Sequence, residues 1–214
     1  MLFRSSRDFY GDLIPQNGSF DIGADEYFAS LPGPAPTVAV PASASPTLVT
    51  GKTTALSVLG ADDGGEANLI YTWSLVGTPP APVTFSANGT NAAKNTVATF
   101  TKAGVYAFRV TITDSNNLST TSTVSVTVQQ TLTTIQITPG SATVQRRSSV
   151  QFTAAGYDQF GSVLTTQPTF TWTKVSGVGS ISSTGLYKAP TKAGAAMIKA
   201  AVGSVFSTAN VTVI

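Results

Sequence analysis

Two runs of oxygen-bearing side chains are the most chemically suggestive feature of this sequence. Asp62, Asp63 and Glu66 lie close together, and Asp114, Asn116 and Asn117 form a second run. Carboxylate and amide oxygens converging from two loops are what a hard cation needs, since calcium takes about six to eight oxygen ligands at roughly 2.3 to 2.6 Å. Asp62, Asp63, Glu66, Asp114 and Asn116 are therefore the candidate calcium ligands, although they do not follow EF-hand spacing. Asp and Asn are also favoured turn formers, because their side chains bond nearby backbone groups, and that role competes with metal binding. Asp63 and Asp114 are the conceivable acid and base pair, a chemistry that needs two carboxyl groups roughly 5 to 9.5 Å apart in a cleft. Histidine and cysteine are both absent. That removes Ser-His-Asp triads, imidazole bases, cysteine nucleophiles and thiolate or histidine zinc sites. Aromatic rings that could stack on sugars outside the clear strand alternation are Phe28, Tyr157, Phe160 and Tyr187. Tyr157 and Phe160 sit in Tyr157-Asp158-Gln159-Phe160-Gly161, a turn that could present them to a ligand or use them to close one end of a domain.

Strands must position these residues. Tyr106, Phe108, Val110 and Ile112 alternate with Ala107, Arg109, Thr111 and Thr113, the period of two that marks a half-buried strand. The same reading predicts strands around 55–59, 69–75, 97–100 and 123–128, separated by Gly, Pro, Asp and Asn clusters. No amphipathic helix competes. Asp8, Asp12, Asp21, Asp25 and Glu26 crowd the first thirty positions, and Leu31-Pro32-Gly33-Pro34-Ala35-Pro36 comes next as a semi-rigid, extended linker. The opening MLFRSSRDFYGDL lacks a continuous apolar stretch and does not read as a signal peptide. An extracellular reading thus expects the signal upstream, in a longer precursor.

The pattern then repeats. Thr72-Trp73 is matched by Thr171-Trp172, Thr101-Lys102-Ala103-Gly104 by Thr191-Lys192-Ala193-Gly194, and Val126-Thr127-Val128 by Val211-Thr212-Val213. Each copy runs through a Trp-bearing strand to a Lys-Ala-Gly turn and two long closing strands, an order compatible with a Greek-key sandwich. The 214 residues leave room for two such sandwiches of roughly 90 to 100 residues each. Trp73 and Trp172 are the expected core anchors, and the short join at Gln129, Gln130 and Thr131 is expected to restrict relative motion.

In the second copy, Gly179-Ser180-Ile181-Ser182-Ser183-Thr184-Gly185-Leu186-Tyr187-Lys188-Ala189-Pro190 resembles the signature of bacterial immunoglobulin-like domains of group 2. The first copy, with Tyr71-Thr72-Trp73-Ser74 and Gly104-Val105-Tyr106-Ala107-Phe108-Arg109-Val110, resembles polycystic-kidney-disease (PKD)-type modules, without their Trp-Asp-Phe-Gly-Asp-Gly run. Gly18-Ser19-Phe20-Asp21-Ile22-Gly23-Ala24-Asp25-Glu26-Tyr27 resembles the last coil of pectate-lyase-type right-handed β-helix proteins. These resemblances imply an all-β fold of two tandem immunoglobulin-like Greek-key sandwiches with a short N-terminal β-helix remnant. The implied divisions are a β-helix remnant over 1–30, a linker over 31–36, a PKD-like sandwich over 37–129 and a group 2 sandwich over 131–214. In that topology the two acidic runs occupy the B-C and F-G loops at one end of the first sandwich.

The expected function is a non-catalytic spacer or adhesion module at the C-terminus of a larger bacterial surface or secreted protein. The alternatives are a carbohydrate-binding accessory of a polysaccharide-degrading enzyme and a small hydrolase fragment. No cofactor is required, and calcium is the one the loops could take. The expected partner is a polysaccharide or another surface protein. With 10% charged residues and a formal charge of +2, the chain lacks the electrostatic footprint for nucleic acid. No membrane span is expected, and the monomer is the default.

Overall fold

The computed structural model describes residues 33–214; the expected β-helix remnant and the start of the linker lie outside them. Residues 35–214 form one compact unit containing two hydrophobic cores. Around the first core run β1 (Thr37–Ser45), β2 (Leu48–Val49), β3 (Thr53–Ala61), β4 (Ile70–Val76), β5 (Thr84–Phe85), β6 (Asn95–Thr99), β7 (Gly104–Thr113) and β8 (Ser119–Val128). Around the second run β9 (Leu132–Thr138), β10 (Ser141–Val144), β11 (Ser149–Gln151), β12 (Thr153–Asp158), β13 (Thr171–Gly177), β14 (Ser180–Ile181), β15 (Leu186–Lys188), β16 (Gly194–Val202) and β17 (Val205–Val213). Two short 3-10 turns, Glu66–Asn68 and Asn91–Lys94, are the helical elements among the described residues.

The two halves share one topology. The first pairs β1-β3-β6-β5 against β2-β8-β7-β4, and the second has β10-β17-β16-β13 in the same order as the latter sheet. Its other layer contains β12-β9 and β11-β15-β14, which reproduce β1-β3-β6-β5 once β11 and β12 are read as one strand interrupted at Phe152. Phe152 is fully buried, and its N–H donates to Gly185 O at 2.9 Å, so the interruption turns an aromatic ring into the core without leaving a donor unpaired.

Each core arises from alternation. On β7 the inward Tyr106, Phe108, Val110 and Ile112 are fully buried, facing Leu56, Val58 and Ala98 of the opposite sheet. Phe100 and Tyr106 have ring centroids 4.8 Å apart, a close aromatic contact that adds to area burial. In the second core Ile198 and Ala200 of β16 and Val211 of β17 meet Ile135, Phe152 and Tyr187. The repeated Trp does not play the same part twice. Trp73 is 2% exposed and Trp172 is half-buried, although β4 and β13 are both terminal strands of their sheets; the difference is that the 88–93 segment covers β4, bonding Trp73 through Asn88 and Ala93.

The repeated Lys-Ala-Gly turns precede β7 and β16. Gly104 has φ +143°, and a Cβ there would come within 2.5 Å of Pro80 Cγ, so the turn requires glycine for space as well as for conformation.

Candidate functional site

Asp114 lies just after β7 and is buried at 4% exposure, yet its carboxylate is turned onto its own loop. Oδ1 accepts the N–H groups of Asn116 at 2.9 Å and Leu118 at 2.8 Å. Asp114 N–H donates to Leu118 O, and Asn117 N–H donates to Asp114 O. Asn117 supplies the left-handed residue with φ 65°, a conformation Asn tolerates better than most side chains. Asn116 is exposed and contributes its backbone N–H to this turn.

Asp158, at the end of β12, makes the same turn. Its Oδ1 accepts Phe160 N–H and Ser162 N–H, each at 2.9 Å; its own N–H donates to Ser162 O, and Gly161, φ 79°, donates to Asp158 O. Asp62 begins a related turn after β3: Oδ2 accepts Gly64 N–H at 3.0 Å and the main-chain O accepts Gly65 N–H at 3.1 Å. Asp63 Oδ1 accepts the same Gly64 N–H at 3.0 Å. Asp62 Oδ1 is the buried side-chain oxygen without a partner among the described residues.

Glu66 is drawn into a different cluster. Lys94 Nζ donates to Oε2 at 2.8 Å and to Oε1 at 3.0 Å, while Tyr71 Oη donates at 2.9 Å and Asn91 Nδ2 at 3.1 Å to Oε1. The Lys94 hydrogen bonds hold the Glu66 carboxyl below its ordinary range, with help from Tyr71 and Asn91 and against partial burial. Tyr71 Oη also accepts Gly60 N–H at 3.0 Å, so the cluster ties the end of β3 to β4 and the 3-10 turn before β6. Burial, first of all, raises the Tyr71 phenol. Because Glu66 and Lys94 are 30% and 29% exposed, Lys94→Met should cost no more than about 1 kcal/mol in urea unfolding, the ceiling for a solvated ion pair.

The five candidate cation ligands are thus committed mainly to backbone turns and, at Glu66, to an ion pair. No group of three or more His, Cys, Asp or Glu side chains among the described residues is placed to hold a metal. Asp62 Oδ1 is the buried candidate oxygen that these contacts leave open.

The candidate aromatic residues part company. Tyr187 is fully buried and donates through Oη to Val178 O at 2.7 Å. Tyr157 is half-buried, its Oη donating to Gln136 Oε1 at 2.7 Å. Phe160 packs against the first sandwich's core, with Lys52 Nζ 5.9 Å from its ring centroid. Phe28 lies outside the described residues. The aromatic ring that stands out in solvent is Phe206 on β17, 61% exposed, with Lys199 Nζ 5.7 Å from its centroid. An aromatic residue within a strand is readily taken for core, yet counting back by twos from the buried Val213, Val211 and Ala209 puts Phe206 on the outer face.

Residues 42–128 match the family model described as K319L-like, PKD domain. No curated protein matches the chain. Among solved structures, the crystal structure of Drosophila N-cadherin EC1-4 is similar at TM-score 0.57 and 12% identity, covering 85% of this chain and 49% of that one. The protocadherin gammaB7 EC3-6 cis-dimer structure is similar at TM-score 0.52 and 13% identity, covering 84% and 49%. This chain therefore spans about half the length of those two. No helix among the described residues is long and apolar enough to cross a membrane. The chain carries tandem immunoglobulin-like β-sandwich domains, the first of them PKD-like over residues 42–128.

Proposed function

We propose that this chain is a non-catalytic, extracellular spacer or adhesion module within a larger bacterial surface or secreted protein. The observation that carries the reading is how each sandwich is closed. In the first, β2 pairs in parallel with β8 through Leu48↔Thr127 and Val49↔Val128; in the second, β10 pairs in parallel with β17 from Ser141↔Asn210 to Val144↔Val213. An early strand and the last strand of each domain thus run side by side in the same direction. Tension that passes through the preceding strand, β1 or β9, into one and leaves by the other pulls them past each other along the ladder, so its hydrogen bonds share the load instead of opening one by one. Such a geometry suits a segment that transmits force along a longer polypeptide.

The bacterial source, the group 2 character of the second sandwich and the β-helix remnant before the first belong to the same proposal, supported by the sequence resemblances. A carbohydrate-binding accessory is the second reading, favoured by exposed Phe206 with Lys199 beside it on the outer face of the β16-β17 sheet. Calcium is a separate proposal resting on Asp62 Oδ1.

Retention on insoluble cellulose, chitin and xylan, with calcium and with chelator, separates these readings. The spacer reading expects no saturable retention in either buffer. Saturable retention abolished by Phe206→Ala would establish the carbohydrate reading instead, and retention lost only in chelator would implicate a cation.

A further inference from the structure

The turn built on Asp158 has the same hydrogen-bond plan as the turn built on Asp114, but its middle residues are used differently. Ser115 and Asn116 are exposed, whereas Gln159 and Phe160 are half-buried against the first sandwich and the connector. We propose that Asp158–Ser162 is a latch that fastens the second sandwich onto the first, so that the two move as one body without a metal at the joint.

The bonds leave little freedom. The Gln159 amide grips the connector on both sides of Gln130: Oε1 accepts Thr131 N–H at 2.8 Å, and Nε2 donates to Gln129 O at 2.7 Å. The same Nε2 reaches Gly51 O at 3.2 Å, in the turn between β2 and β3. Beside it, Thr131 Oγ1 donates to Thr50 O at 2.9 Å. Gln130 points the other way: Nε2 donates to Asp158 Oδ2 at 2.9 Å, and Oε1 accepts both the N–H and the hydroxyl of Thr165 at 2.9 Å. Gln129 N–H is held by Val49 O at 2.8 Å, continuing the parallel ladder of the first sandwich into the connector.

Each connector residue is therefore bonded on at least one side, and Phe160 supplies the apolar contact that hydrogen bonds alone would lack. A three-residue connector with free amides would act as a flexible link; here its polar groups are occupied. Asp158, the one carboxylate at the joint, is 2% exposed and accepts from three donors, so its charge is met by hydrogen bonds from the latch and the connector themselves. A cleft of about 580 Å³ remains beside the latch, with Lys102 and Gln129 on one side and Ser162 and Thr165 on the other.

The latch is mechanical and holds whichever partner the tandem meets. Because the chain has no cysteine, Ser125→Cys and Thr208→Cys, both at exposed positions, place one spin label on each sandwich. Pulsed electron resonance on the full chain should give one narrow distance distribution, unchanged by calcium or chelator. Gln159→Ala and Phe160→Ala, each checked for intact folding by circular dichroism, should broaden it by about twofold or more as the connector becomes free. A distribution as broad in the parent as in the variants, variants as narrow as the parent, or narrowing that appears only with calcium would overturn the proposal.

Discussion

Trp73→Ala is expected to unfold the first sandwich at temperatures where the second stays folded. Trp73 is 2% exposed, and its Nε1 donates to Ala93 O at 2.8 Å across the core. Its backbone is clasped by Asn88, whose Oδ1 accepts Trp73 N–H at 2.7 Å and whose Nδ2 donates to Trp73 O at 3.0 Å. Deleting a buried aromatic side chain costs about 3–5 kcal/mol, and stranding a buried carbonyl adds about 1–3 kcal/mol. Against a total domain stability of about 5–15 kcal/mol, that is a large fraction or the whole. The chain has two tryptophans, so the variant keeps Trp172 as the sole indole reporter, placed in the second sandwich. Its emission should still show a cooperative transition, while the circular dichroism signal loses the first sandwich's share. Retention of the full signal would show that Trp73 is not the anchor its burial indicates.

Asp158→Ala should be the most damaging single change in the second sandwich's loops. The substitution leaves the N–H groups of Phe160 and Ser162 and the Gln130 amide without their shared acceptor at a part-buried site. Hydrogen bonds to a charged group are worth about 1.5–3 kcal/mol each, so a loss of about 3 kcal/mol or more is expected in urea unfolding. Asp158→Asn should cost less, because it keeps an oxygen for the two backbone donors while setting a second donor against Gln130.

The pH dependence has its origin in the same contacts. Burial pushes the Asp158 carboxyl up, but hydrogen bonds from Gln130, Ser162 and Phe160 outweigh it and hold the group below the ordinary aspartate value. A carboxyl depressed on folding stabilises the folded state above its unfolded value, and that contribution disappears as pH falls through this value toward the lower folded one. Unfolding midpoints should therefore drop as the solution is acidified through the ordinary aspartate range and below. Asp158→Asn should flatten that dependence, and an unchanged slope would contradict the role assigned to the carboxylate.

The strands and the repeat were readable because they depend on local alternation and on residues that recur in step. Tyr106, Phe108, Val110 and Ile112 face inward as their spacing requires, and both Lys-Ala-Gly turns lead into the strand that pairs with the last one. What sequence cannot supply is the direction in which a polar or aromatic side chain turns. Asp114 looks the same as a cation ligand and as a turn clamp until Oδ1 is seen to accept Asn116 and Leu118. Glu66 meets Lys94, a partner 28 positions away, and no local pattern announces the pairing. Phe160 falls in a turn that could present it to a ligand or use it to close a domain end, and only the neighbouring sandwich shows which core it packs against. The unequal burial of Trp73 and Trp172 likewise reflects a distant partner: both strands end their sheets, but only Trp73 is covered by a later segment, through Asn88 and Ala93.

Stretching the full chain between its ends in a single-molecule force experiment tests the spacer claim most directly. Two discrete unfolding events are predicted, one for each parallel ladder loaded along its strands. The first sandwich, closed by the two pairs between β2 and β8, should yield at lower force than the second, closed by the four pairs between β10 and β17. Gradual extension at low force, with no separate events, would contradict a force-transmitting role for this tandem.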